Sequence, residues 1–167
     1  MKRLIGTTLL IGLLPLVAAA QGKDYSKGHG YVYSGAGATA AFDDGGEGII
    51  HMGAGGEGFF HKHLGIGADL GYVAPFERFT KGVGTFSPNL VARSRGRNHR
   101  NRLEPFVTCG YTRFLGLGDP NGANFGGGVN WWFKERLGLR FELRDNLWGE
   151  GGEIYHLAGF RLGLTFR

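Results

Sequence analysis

The chain has 167 residues, a length that suits a single domain. Glycine supplies 33 of them, and 19 Lys and Arg against 14 Asp and Glu leave a formal charge of +5. A lone cysteine, Cys109, excludes an intramolecular disulfide framework.

The first twenty residues read as a signal peptide. Met1, Lys2 and Arg3 form a positive start. Leu4 to Val17 form an apolar stretch broken only by Gly6, Thr7, Thr8, Gly12 and Pro15. Ala18, Ala19 and Ala20 supply the small residues of a cleavage site, which leaves Gln21 as the mature start. The apolar stretch is shorter than a bilayer requires, which weighs against a retained anchor. Cleavage removes two cations and leaves a weakly basic chain. An exported domain without disulfides needs another source of stability, and a closed barrel supplies it because every backbone group pairs within the sheet.

Residues 21–29 read as a short polar segment, and 30–167 as one all-β domain. No second apolar run of helix-spanning length follows the signal. Instead, segments of roughly ten residues alternate apolar and polar positions between Gly-rich or polar breaks, as tilted barrel strands do. Gly30 to Ala41 is the first, with its facing unsettled. Ile49 to Phe60 is Gly-rich and pairs through the turn His61-Lys62-His63 with Leu64 to Ala74. That segment sets Leu64, Ile66, Ala68, Leu70 and Tyr72 against Gly65, Gly67, Asp69 and Gly71. Thr85 to Arg95 puts Phe86, Leu90 and Ala92 outward, with Ser87, Asn89 and Arg93 inward.

Leu103 to Phe114 follows, with Pro105 near its start, where a missing donor is tolerated. Next, Phe125, Gly127, Val129, Trp131 and Phe133 alternate with Asn124, Gly126, Gly128, Asn130 and Trp132. After Lys134-Glu135-Arg136, Leu137, Leu139, Phe141 and Leu143 fall opposite Gly138, Arg140, Glu142 and Arg144. A helix would scatter these around its circumference, so the period is two. Phe160, Leu162, Leu164 and Phe166 close the chain against Arg161, Gly163, Thr165 and Arg167. Eight segments predict an eight-stranded antiparallel up-and-down transmembrane β-barrel. The runs Gly53-Ala54-Gly55-Gly56 and Gly126-Gly127-Gly128 suit a narrow interior that needs small residues beside large ones. A soluble β-sandwich with ordinary core aromatics is the rival fold.

Phe125 to Asp145, FGGGVNWWFKERLGLRFELRD, resembles the small bacterial outer-membrane β-barrel proteins with an OmpA-like or OmpX-like membrane domain. The likeness extends over roughly Gly30 to Arg167. The closing FRLGLTFR resembles the C-terminal insertion signal of that group, carried here by Phe160, Leu162, Leu164 and Phe166, although Arg167 follows the final aromatic. The resemblance implies export to the outer membrane of a Gram-negative bacterium. Its implied partners are outer-membrane lipids, lipopolysaccharide, periplasmic chaperones and the barrel-insertion machinery, with a monomeric state and no nucleic acid. It implies no particular activity, because one fold hosts many functions.

The alternation sends Glu57, Asp69, Arg93, Glu104, Arg140, Glu142, Arg144 and Arg161 into the lumen. Eight strands leave an interior just wide enough to be filled by side chains, so opposite charges there should pair and block the barrel. A narrow conduit for small solutes is the alternative reading. The basic run Arg93 to Arg102 falls at the periplasmic end on this layout, suited to anionic headgroups. A nucleic-acid patch would need interleaved aromatics or a reader fold, and the run has neither.

His61 and His63, with His51 nearby, read as a solvated turn without the spacing of a metal site. Lipid-modifying barrel enzymes combine His, Ser and an acid, but no Ser lies near His156, so no catalytic set, cofactor or metal is expected. Trp131, Trp132, Trp148 and the six tyrosines are expected in aromatic girdles at the strand ends. Cys109 is expected on the outward face as a small apolar residue.

Overall fold

The computed structural model describes residues 27–41, 47–94, 102–116, 120–150 and 153–167. The expected signal peptide lies outside these residues, as do Asp43 and Asp44 and most of the basic run. Eight strands form: β1 (Gly28–Ala41), β2 (Glu47–Phe59), β3 (Leu64–Pro75), β4 (Val83–Arg93), β5 (Leu103–Leu115), β6 (Asn121–Trp132), β7 (Leu137–Glu150) and β8 (Glu153–Phe166). Each pairs antiparallel with its sequence neighbour, and β1 also pairs with β8 from Gly30↔Phe166 to Ala41↔Tyr155. The sheet closes into an eight-stranded up-and-down barrel. Both described chain ends and the connections after β2, β4 and β6 share one end, called here the terminal end. The connections after β1, β3, β5 and β7 share the far end.

Side chains alternate as period two requires, but the usual distribution of polarity is inverted. Leu143, Val107, Leu90 and Ile66 are 66%, 60%, 60% and 59% exposed, whereas Arg140, Asp69 and Glu142 are 1%, 1% and 2% exposed. A soluble β-sandwich would bury the first set and expose the second. The outward wall is therefore built for hydrocarbon, where backbone groups must be satisfied inside the sheet and a closed ladder does so.

Two strands run longer than their alternating cores. β7 continues past Leu143 to Glu150, and β8 begins at Glu153, well before Phe160. Near the far end the polarity of the alternation reverses. Outward Asp145 and His156 pair at 2.9 Å, while inward Trp148 and Leu157 join Ile49, Val73, Val83 and Phe114 in an apolar cluster. Backbone pairing continues through this reversal because the ladder does not depend on side-chain polarity.

Pro88 interrupts β4. From the far end, its pairing with β5 runs through Phe86↔Arg113 and resumes at Asn89↔Gly110. The carbonyl of Ser87, just before the proline, accepts a bond from the Asn89 side-chain amide at 2.9 Å.

The glycines divide more finely than the sequence suggested. Gly53, Gly55, Gly126 and Gly128 face inward, but Ala54, Gly56 and Gly127 take the outward positions between them. The inward ones make room for large neighbours. A Cβ at Gly55 would stand 2.7 Å from the Tyr31 ring and hydroxyl, and one at Gly71 would stand 2.7 Å from His51, Thr85 and Tyr33.

Gly55→Val is expected to displace Tyr31 and cost about 1–3 kcal/mol through overpacking. The readout is a lowered urea midpoint of the barrel refolded in vesicles. Gly58→Ala meets nothing within 4 Å and should leave the midpoint unchanged. Equal midpoints for both variants would contradict this account of the glycines.

Candidate functional site

Strand alternation carries all eight of the inward charges named from the sequence into the lumen, one each on β2, β3, β4, β5 and β8, with three on β7. Each is at most 6% exposed. Arg140 reaches Glu57 at 2.8 Å and Glu142 at 2.9 Å. Arg144 reaches Glu142 at 2.7 Å and Asp69 at 3.0 Å. Arg161 lies 3.7 Å from both Asp69 and Glu142. Arg93 pairs with Glu104 at 3.3 Å, toward the terminal end.

Glu142 is the hub, shared by three guanidinium groups. Among the described residues buried in the lumen, four carboxylates face four guanidiniums, and half-buried Arg167 adds a cation over the Trp132 ring at the terminal mouth, 3.8 Å from its centre. A buried charge without a partner is strongly destabilising, and charge-assisted contacts at these distances are the remedy.

Aromatic rings enclose the cations. The Arg140 guanidinium lies 3.8 Å from the Phe106 ring centre and 4.3 Å from that of Tyr31. Arg93 lies 3.5 Å over Phe59, and Arg161 lies 4.5 Å over Tyr33. These ring faces are negative and favour a desolvated cation. Tyr31 and Tyr33 are therefore lumenal, and so is Trp132, which corrects their expected place in the girdles. Trp148 also faces inward and stacks on Tyr155 at 5.5 Å. Trp131 and Tyr111 keep outward positions, at 42% and 44% exposure.

Neutral polar residues complete the network. The Tyr33 hydroxyl donates to Asp69 at 3.2 Å and lies 3.1 Å from His51. Asn89 donates to Asp69 at 3.0 Å, and Asn130 donates to Glu104 at 3.4 Å. Nearer the far end, Thr112 donates to Asn146 at 3.0 Å and accepts from Asn124 at 3.0 Å, with Ser87 at 2.8 Å.

His51 is lumenal, 3.1 Å from Arg161, and does not belong to the exposed turn of His61 and His63. The sequence carried the signal, since His51 and Glu57 share parity on β2. His29, 3.1 Å from Glu57, was likewise missed because it lies before the expected start of β1.

Two apolar clusters lie among and beyond the charges. Ile49, Val73, Phe114 and Leu157 form one at the far end, and Phe59, Val91 and Phe106 form the other toward the terminal end, with the Arg93–Glu104 pair on its terminal side. A void of about 10 Å³ lies beside His51, Arg144, Asn146 and Arg161, about the room of one water molecule.

Among the described residues, no group of three or more His, Cys, Asp or Glu is arranged to hold a metal ion. Across the sheet His156 faces Leu147 and Ala40, neither of which is a nucleophile. Cys109 is exposed on the outward wall. Phe160, Leu162 and Leu164 line the outward face of β8 at 44–45% exposure, with half-buried Phe166 below them.

Removing the hub anion should be the costliest single change in the lumen. Glu142→Ala is expected to lose about 3–5 kcal/mol, because it leaves three buried guanidiniums with only Glu57 and Asp69 between them. Glu104→Ala, which frees one guanidinium still stacked on Phe59, should cost less. Urea unfolding followed by tryptophan fluorescence decides the order, and equal losses would contradict the hub assignment.

No protein-family model matches the sequence, and no curated protein is similar to it. Solved structures do match. Neisserial surface protein A (NspA) aligns with a TM-score of 0.65 at 10% identity, covering 83% of this chain and 96% of that one. A designed transmembrane β-barrel aligns with a TM-score of 0.55 at 12% identity, covering 84% and 94%. The N-terminal barrel domain of Pseudomonas aeruginosa OprF gives 0.54 at 15% identity, covering 82% and 97%. At these identities the likeness is one of fold: the chain has the architecture of small membrane β-barrels.

Proposed function

We propose that this chain is a non-enzymatic integral outer-membrane β-barrel of a Gram-negative bacterium, with a structural or surface-interaction role and a lumen blocked by its own side chains. The observation that carries the reading is the inverted wall. Leu143 at 66% exposure and Arg140 at 1% suit a protein whose outer solvent is hydrocarbon. Residues 1–20 serve export, and the terminal end faces the periplasm. The outward row Phe160, Leu162, Leu164 and Phe166 is the strand read by the insertion machinery after periplasmic chaperones deliver the chain. The partners of the finished barrel are outer-membrane lipids and lipopolysaccharide, and it acts as a monomer.

Blocking follows from the contents of the lumen. The paired charges occupy the lumen together with two apolar clusters, one of them at the far end. A solute would have to separate ion pairs that are already desolvated, at a cost of several kcal/mol for each ion left without its partner. The far-end connections are short, which suits contact through the rim more than through an extended tip.

Single-channel recording in planar bilayers tests the blocked lumen. Insertion without conductance steps is expected, and reproducible steps would replace this reading with a narrow channel. Incubation with lipid A tests the absence of enzyme activity, and a gain or loss of an acyl chain would overturn it.

A further inference from the structure

The charges outside the lumen are sorted by end. At the terminal end, Lys27, Lys62, Arg102, Lys134 and Arg136 are all exposed, with Glu135 the one acid among the described residues there. At the far end the balance is opposite. Asp43, Asp44, Glu47, Glu77, Asp119, Glu150 and Glu153 fall in or beside its connections, against Arg78, Lys81 and Arg113.

The basic groups come from all three terminal-end connections and from Lys27 just before β1. They therefore form a collar and not a patch on one side. The collar sits directly on the lipid-facing wall. Phe60 is 71% exposed beside Lys62, Leu103 is 55% exposed beside Arg102, and Trp131 is 42% exposed near Lys134. Trp131 meets Phe133 edge to face at 6.3 Å, an aromatic pair at the same level. Apolar and aromatic groups adjoining a ring of cations match the boundary between acyl chains and headgroups.

We infer that this collar binds anionic phospholipid headgroups, selecting them over zwitterionic ones in the leaflet at the terminal end. The inference rests on the membrane reading above and adds a lipid preference to it. Its chemistry is that of several cations at the headgroup plane, each attracting phosphate weakly and all screened by salt. The acidic far end lacks this attraction. Nucleic acid could also bind a basic surface, but the adjoining apolar wall would then face water.

Trp131 provides the probe, because Trp132 and Trp148 face the lumen. The mature barrel is folded into phosphatidylcholine vesicles containing either brominated phosphatidylglycerol or brominated phosphatidylcholine at equal mole fraction, with bromines near the headgroup. Quenching by the glycerol lipid is expected to be about two-fold stronger at low salt and equal to that of the choline lipid at high salt. The variant carrying Lys62→Glu, Lys134→Glu and Arg136→Glu should lose the preference at low salt. Should that variant fail to fold, the salt titration of the unaltered chain still decides.

Equal quenching by both lipids at low salt would overturn the inference and leave the membrane reading standing. Absence of quenching by either would remove the membrane reading itself. Soluble double-stranded DNA at equal phosphate concentration should leave the preference intact. Its loss would reassign the collar to a soluble polyanion.

Discussion

The ladder between β1 and β8 sets the terms for everything else, because a sheet in hydrocarbon has no water to satisfy an open edge. Pairing from Gly30↔Phe166 to Ala41↔Tyr155 removes both edges at once. Closure at eight strands then fixes a narrow interior that side chains must fill. Polar residues cannot face outward within the apolar band, so they are confined to that interior. There they must satisfy one another.

The lumen meets that demand through matching numbers and matching shapes. Glu57, Asp69, Glu104 and Glu142 balance Arg93, Arg140, Arg144 and Arg161, and Glu142 alone serves three cations. Long side chains on β7 and aromatic ones on β1 need space, which Gly55, Gly71 and other inward glycines leave open. Glycine weakens a strand elsewhere, but here it permits a large partner to lie flat across the barrel. The packed charges, the apolar clusters and the small residues between them form one interdependent filling.

Much of this was legible in the sequence because period two is a local signal. Leu137 to Arg144 and Phe160 to Arg167 state their facing outright. β1 did not, because its outward positions, such as Ala36 and Ala38, are small, while its largest residues, Tyr31 and Tyr33, point inward. An apolar-outward rule has nothing to act on there. The far end was obscured for a different reason. There the alternation reverses, with Leu157 inward and His156 outward, because the lumen is capped by apolar groups where the wall carries a polar ion pair. The network's full membership was also wider than expected: His51 shares the parity of Glu57 on β2, and His29 lies ahead of the expected start of β1.

The fold accordingly describes a barrel filled with paired charges, carrying on its outside an apolar wall, a basic terminal end and an acidic far end. The claim beneath all of these is that the outward wall contacts hydrocarbon. Cys109, the single cysteine, stands on that wall beside outward Val107 and Tyr111. A nitroxide attached there, in the barrel folded into vesicles, reports its solvent through collisions with oxygen and with a water-soluble nickel complex. The account predicts frequent collisions with oxygen and few with nickel. Collisions dominated by nickel would contradict it.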